Sequence, residues 1–229
     1  MPVLVFDTSG RDAAIALGIG DDCVLRDVPR QAGRHARLLI PTAANLLAEH
    51  DIEPSALTGL GVNLGPGSFT GLRVGVAAMQ TLAWANDVPA VGVTQFDIAA
   101  QIGQDRERWI VLNAEREELF IAKVAAGSTG AGEFEIVADE TFLGWLREHF
   151  AAVVGPLPRR VADAVAKVAT ILEPAEPPAA TLLRLVRAKL AAGEATPPAQ
   201  LLPLYGRRSA AEELRDAGRR PNYASNRNL

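Results

Sequence analysis

The stretch GLGVNLGPGSFTGLRVGVAAMQTLAWA, Gly59 to Ala85, constrains this chain more than any other. It opens on the apolar residues Leu60, Val62 and Leu64, passes through a glycine-rich turn, and continues in small and aliphatic residues. An apolar run bounded by turn signals predicts a buried strand. The turn Gly65-Pro66-Gly67-Ser68-Phe69-Thr70-Gly71 permits positive φ and close backbone approach. Ser68 and Thr70 are candidate caps for the helix that follows, whose free N–H groups and dipole favour anions. On chemistry alone this is an anion-accepting nest, with a purely structural turn as the plain alternative. It is not a Walker A loop, because no Gly-Lys-Ser/Thr closes it, nor the fingerprint G-x-G-x-x-G, because the third glycine falls one position late at Gly71. The predicted helix carries the small residues Gly75, Ala77, Ala78, Ala83 and Ala85, with Val74, Val76, Met79, Leu82 and Trp84 spread around it. A helix apolar on more than one face is buried on more than one side, by a large core or by a partner chain.

The 229 residues suffice for one large domain or two small ones. A net charge of −4 argues against autonomous nucleic-acid binding, which needs a basic surface. The single cysteine, Cys23, excludes an intramolecular disulfide, fits a reducing compartment, and reads as a small core or strand residue. The opening MPVLVFDTSG has no basic n-region, and its apolar run ends at Asp7, so no signal peptide is expected. No apolar run reaches transmembrane length. A cytoplasmic chain without membrane contact is expected.

In order, Val3 to Phe6, Ala13 to Ile19 and Cys23 to Val28 predict a three-strand meander. Asp7 at the end of the first strand reads as a turn former or as a carboxylate aimed into a cleft. A helix is predicted from Arg34 to Asp51, with Pro41 kinking it or marking its true start. Neither His35, His50 nor His149 belongs to a cluster with metal-ligand spacing, so no metal site is expected. A strand over Pro89 to Val93 leads to Thr94, which can cap a helix running to about Gly103. After the charged link Gln104–Arg108 come strands at Trp109–Leu112, Leu119–Val124, Phe134–Val137 and Ala151–Val154. Helices are predicted over Glu140–His149, Val161–Leu172 and Thr181–Ala192. The expected organisation is a first lobe over 1–103, joined by a C-terminal helix around 205–218, and a smaller lobe over 104–204. A disordered tail over 219–229 completes it. The C-terminal segment is basic, which serves solubility or contacts RNA or an acidic partner.

Six segments then occur in a telling order: LVFDTSG, HARLLIP, GPGSFTGLRVG, PAVGVTQFDIAA, VLNAEREELFIAKV and PLYGRRSAAEE. Together they resemble the bacterial TsaB family, also called YeaZ, which is related to TsaD and the glycoprotease-like Kae-type proteins. GPGSFTGLRVG is the specific segment, and the match covers nearly the whole chain. The resemblance implies an α/β actin/Hsp70/sugar-kinase-like (ASKHA) fold with two lobes, the second reduced. It makes Asp7, Thr8 and Ser9 the first phosphate loop, and with Gly65, Gly67, Ser68 and Thr70 the nucleotide-binding residues, with ATP or ADP and magnesium at or near an interface as the cofactor to expect.

The function implied is tRNA processing: threonylcarbamoylation of the adenosine beside the anticodon in tRNAs that read ANN codons. The chain would be a non-catalytic scaffold or activating subunit, a pseudo-enzyme, pairing with a TsaD-like catalytic subunit. A TsaE-like ATPase joins, tRNA is engaged through the complex, and the chain alone forms a homodimer. The pairing surface implied is helical: His35, Leu38, Leu39, Leu46, Leu72, Arg73, Val76, Met79 and Gln80. On that reading Leu72→Asp breaks pairing and spares the fold. The catalytic relative carries two metal-binding histidines four apart, just after the strand that follows the glycine-turn helix. Here Gln95 and Ala99 occupy those places, and a neutral amide and a methyl cannot form that site. The chain departs from the family at Tyr205-Gly206-Arg207, where Leu-Arg commonly follows the tyrosine. The alternative reading is an autonomous nucleotide-binding ATPase or kinase, resting on Asp7 and the glycine turn. No second carboxylate constellation for phosphoryl transfer accompanies it.

Overall fold

Five strands build the first sheet: β1 (Val3–Asp7), β2 (Ala13–Ile19), β3 (Asp22–Val28), β4 (Gly59–Asn63) and β5 (Ala90–Val93), in the order β3-β2-β1-β4-β5. The computed structural model describes residues 1–28 and 35–205. The expected helix around 205–218, the tail over 219–229 and the side chain of His35 lie outside the described residues.

β1, β2 and β3 form an antiparallel meander, while β1, β4 and β5 run parallel. Parallel strands need crossovers. α1 (His35–Ala48) and α2 (Phe69–Asn86) supply them, and Pro41 sits inside α1 without ending it. β1 and β4 are buried along their whole length, as strands covered on both faces must be.

After α3 (Gln95–Ala99) comes the second sheet, with β6 (Arg108–Asn113), β7 (Glu118–Val124) and β8 (Glu135–Ala138). Then follow α4 (Asp139–Glu148), β9 (Ala152–Val154), α5 (Arg159–Val168), β10 (Thr170–Leu172) and α6 (Pro178–Ala191). The order β10-β9-β6-β7-β8 repeats the first sheet's topology, a meander followed by parallel strands on its far side.

Four layers of apolar contact hold the molecule. Leu39 and Leu46 of α1 and Val76 and Met79 of α2 pack on Leu4, Phe6, Ile15 and Leu60. Leu182, Leu183 and Val186 of α6 cover the opposite face at Val3, Val5, Ala16 and Val91. Phe96 and Ala99 of α3 meet Ile110, Phe120 and Ala122 of the second sheet. Phe142 and Leu146 of α4 and Val161 and Val165 of α5 cover that sheet's outer face.

Three expectations are corrected. Residues 173–204 were assigned to the second lobe, but α6 packs on the first sheet. The cause is an uncovered apolar face there, and Gly61 lets α6 approach, since a Cβ on it would overlap Val186. The single helix expected over Val161–Leu172 ends at Val168, because Thr170–Leu172 pairs in parallel with Ala152–Val154. The helix after Thr94 is only five residues long. Its start is as expected: the Thr94 hydroxyl accepts from Asp97 N at 3.1 Å, and the Asp97 carboxylate accepts from Thr94 N at 3.0 Å.

Candidate functional site

Side chains at the carboxyl ends of parallel strands face the crevice in which open α/β sheets bind ligands. Here β1 ends at Asp7, β4 ends at Asn63, and Gln95 opens α3 just beyond β5. The three converge. Asp7 Oδ1 accepts from Ser9 N at 3.0 Å, Ser9 Oγ at 2.6 Å and Asn63 Nδ2 at 3.1 Å. Gln95 Oε1 accepts from Asn63 Nδ2 at 2.7 Å, and Gly65 N donates to Asn63 Oδ1 at 2.9 Å. Sequence reasoning singled out Asp7 and Ser9 but missed Asn63. Its signal was an amide closing an otherwise apolar strand, which has to find partners once buried.

The glycine turn lies against the loop after β1. Ser68 N donates to Ser9 O at 2.8 Å. A Cβ on Gly67 would overlap Ser9 O, one on Gly71 would overlap Thr8 O, and one on Gly75 would overlap the Thr8 side chain. These glycines are therefore needed for close packing within the chain, Gly67 and Gly71 against backbone and Gly75 against a side chain. Gly65 takes φ 98° before Pro66. Ser68 caps α2, its Oγ accepting from Gly71 N at 3.3 Å. Thr70 lies exposed inside the first turn and is not the cap, a correction. Thr8 is buried against α2 and does not line the crevice. Gly71→Ala is expected to cost about 2 kcal/mol of stability, because its neighbour is backbone that cannot rotate away. A urea titration against the parent chain measures it.

The crevice is a cleft of about 1220 Å³ between the two sheets. Asp7, Ser9 and Gln95 are among its polar lining, and Leu112 and Phe120 line it from the second sheet. Phe69 and Tyr205 also line it, with ring centroids 4.9 Å apart. The Arg73 guanidinium lies 4.1 Å from the Phe69 ring centre, and its Nε donates to Tyr205 Oη at 3.0 Å. Among the described residues, the carboxylates of Asp7, Asp12, Asp27 and Glu115 and the guanidinium groups of Arg11 and Arg73 line the cleft.

Most of the helical residues expected to form a pairing surface are engaged within the chain. Leu39, Leu46, Leu72, Val76 and Met79 are at most 3% exposed and belong to the chain's own interior. Leu38 is half-buried. Arg73 is engaged by Tyr205, and Gln80 Nε2 donates to Pro198 O at 3.0 Å and Leu201 O at 2.9 Å. What α2 presents outward is Ala77, Thr81 and Trp84, the last 83% exposed, and α1 presents Ile40.

Cys23 is exposed on β3, not in the core. Desolvation pushes its thiol pKa up, outweighing the lowering by the Arg187 charge. Among the described residues no three His, Cys, Asp or Glu side chains could together hold a metal ion. None of their helices is long and apolar enough to cross a membrane.

Residues 27–147 match the family model for TsaD, tRNA N6-adenosine threonylcarbamoyltransferase. The Bacillus subtilis (strain 168) "tRNA threonylcarbamoyladenosine biosynthesis protein TsaB" is 31% identical over 122 residues, 52% of this chain and 53% of that one. "Uncharacterized protein Rv3421c" of Mycobacterium tuberculosis is 31% identical over 222 residues, covering 93% of this chain and 94% of that one. The alignments thus span about half of the Bacillus protein and nearly all of the mycobacterial one. "YeaZ from Pseudomonas aeruginosa" superposes with a TM-score of 0.68 at 22% identity, covering 89% of this chain and 99% of that chain. Two sheets of one repeated topology around a cleft make this an actin/Hsp70/sugar-kinase-like (ASKHA) α/β protein. Its glycine turn, Asn63 and Gln95 lie within the matched stretch, whereas Asp7 and Ser9 precede it. The chain belongs to the TsaB (YeaZ) family.

Proposed function

We propose that this chain is a non-catalytic subunit that pairs with a TsaD-like transferase in threonylcarbamoylation of the adenosine beside the anticodon of tRNAs reading ANN codons. The Bacillus relative, a tRNA threonylcarbamoyladenosine biosynthesis protein, supports the pathway. The observation that carries the pairing is Trp84, 83% exposed on the outward face of α2 beside small residues. An indole is a large apolar surface that contributes most when a partner covers it. The residues at 95 and 99 support the absence of catalysis. The Gln95 amide oxygen is taken up by Asn63, and the Ala99 methyl is packed in the core. A TsaE-like ATPase and tRNA join through the transferase, and two copies of this chain use the same face when the transferase is absent.

Trp84→Asp is expected to weaken association with the transferase by about a hundredfold, as at an interface hot spot, with the melting temperature unchanged. Light scattering of the co-purified chains measures it, alongside a tRNA-modification assay with each subunit omitted. Full pairing by the variant refutes the surface. Steady ATP hydrolysis by the isolated chain, or modification in its absence, refutes the role.

A further inference from the structure

We infer that the cleft between the sheets binds an uncharged flat ligand through an amide-type edge, a donor beside an acceptor, and discriminates against ligands carrying phosphate. The inference does not depend on the pairing proposed above, which uses the outward face of α1 and α2.

Asp7 is 9% exposed and Gln95 7%, so both are built into the floor. Each commits one polar atom inward. Asp7 Oδ1 and Gln95 Oε1 share the same two neighbours, with Asn63 Nδ2 at 3.1 and 2.7 Å and Ser9 Oγ at 2.6 and 3.3 Å. The shared neighbours hold carboxylate and amide side by side. They also fix the sense of the Gln95 amide, whose oxygen is turned to Asn63 and whose nitrogen is turned away. Asp7 Oδ2 and Gln95 Nε2 have no hydrogen-bond partner among the described residues, and neither is sealed from the cleft that both side chains line. The result is an acceptor and a donor on two side chains held by the same two neighbours. Their complement is a ligand N–H beside a carbonyl or ring nitrogen, the edge of a carboxamide or an aminated heteroaromatic ring. The same cleft is lined by the apolar Leu112, Phe120, Pro178 and Ala179, which suit a ring face.

Phosphate is disfavoured by the same geometry. The glycine turn has its near side filled by Ser9 O and Thr8 O, which are acceptors. Among the described lining residues, Asp7, Asp27 and Glu115 stand against Arg11 and Arg73, and Arg73 already engages Tyr205 and Phe69. An anion brought to the floor meets the Asp7 carboxylate.

The test is a titration of the ¹⁵N-labelled full chain, following backbone and side-chain amide resonances. The probes are nicotinamide and nicotinate, which differ only in amide against carboxylate, and adenosine, AMP and magnesium-ATP. Nicotinamide and adenosine are expected to shift the Gln95 side-chain NH₂ and the Gly67 and Phe120 amides saturably. Nicotinate and AMP are expected to bind at least about tenfold more weakly, the factor typical of a mismatched buried hydrogen-bonding group. Gln95→Glu, which keeps the shape and replaces the donor, is expected to lose the same factor. No saturable shift with either amide-edged probe overturns the site. Shifts confined to other surfaces do the same. Nicotinate, AMP or magnesium-ATP binding as tightly as its uncharged counterpart overturns the discrimination. Unchanged binding by a folded Gln95→Glu chain overturns the role of the amide. Should that variant not fold, the parent chain's preference between nicotinamide and nicotinate decides alone.

Discussion

An Arg108→Ala chain is expected to unfold with about 4 kcal/mol less free energy than the parent, because buried hydrogen-bond acceptors lose a charged donor and a cavity opens. Arg108 is fully buried and makes no hydrogen bond to a carboxylate among the described residues. Its guanidinium donates instead to main-chain oxygens: Arg106 at 3.1 Å, Ala125 at 3.3 Å, Ser128 at 2.9 Å, and Ala100 at the end of α3. One side chain thus ties the link before β6 to the turn after β7 and to the helix that carries Gln95. Burial lowers its pKa from the ordinary arginine value, yet it remains the cation that these carbonyls require. Arg108→Met separates the contributions. It fills the space without donors and is expected to recover only about half of the loss, the share due to volume. Urea midpoints of the three chains measure the effect, and a methionine variant as stable as the parent refutes the role of the guanidinium.

Leu72→Asp is expected to abolish the native state, not merely to weaken pairing. Leu72 is 1% exposed, and its methyl group lies where a Cβ on Gly65 would sit, 2.6 Å away. A carboxylate there must be desolvated without a partner or be protonated, at a cost of roughly 4 kcal/mol or more, comparable to the whole stability of many domains. Circular dichroism at neutral pH reads the outcome directly. Set beside Trp84→Asp, the same charge on the same helix should leave a fully folded chain. A folded Leu72→Asp chain of native helicity would refute the burial on which this contrast rests.

That contrast marks where the sequence was legible and where it was not. Ala13–Ile19 was read to the residue, because alternation and the turn Gly20-Asp21 bound it on local evidence. The glycine turn was likewise located correctly between strand and helix. α2, however, is apolar nearly all round, so its periodicity alone did not reveal which side faced inward. The answer was in the register: Leu72, Val76, Met79 and Ala83 recur at spacings of four, three and four and are all buried, whereas Trp84 falls outside that stripe. The site was half legible. Asp7 and Ser9 announced themselves in a turn, but Asn63 and Gln95 join them only when β4 and α3 are brought beside β1, through contacts between residues 56 and 32 positions apart. The short strand β10 was invisible, since Thr170–Leu172 continues an apolar helical pattern until β9 offers it a partner.

The placement of α6 on the first sheet has a consequence for synthesis on the ribosome. The last strand of that sheet ends at Val93 and its covering helix begins at Pro178, so the 84 residues 94–177 must emerge in between. At about 5–20 residues per second, the face formed by Val3, Val5, Ala16 and Val91 waits roughly 4–17 s for its cover. During that interval the nascent chain offers an apolar surface to chaperones, while the second sheet and its two covering helices, contiguous in sequence, can be completed first.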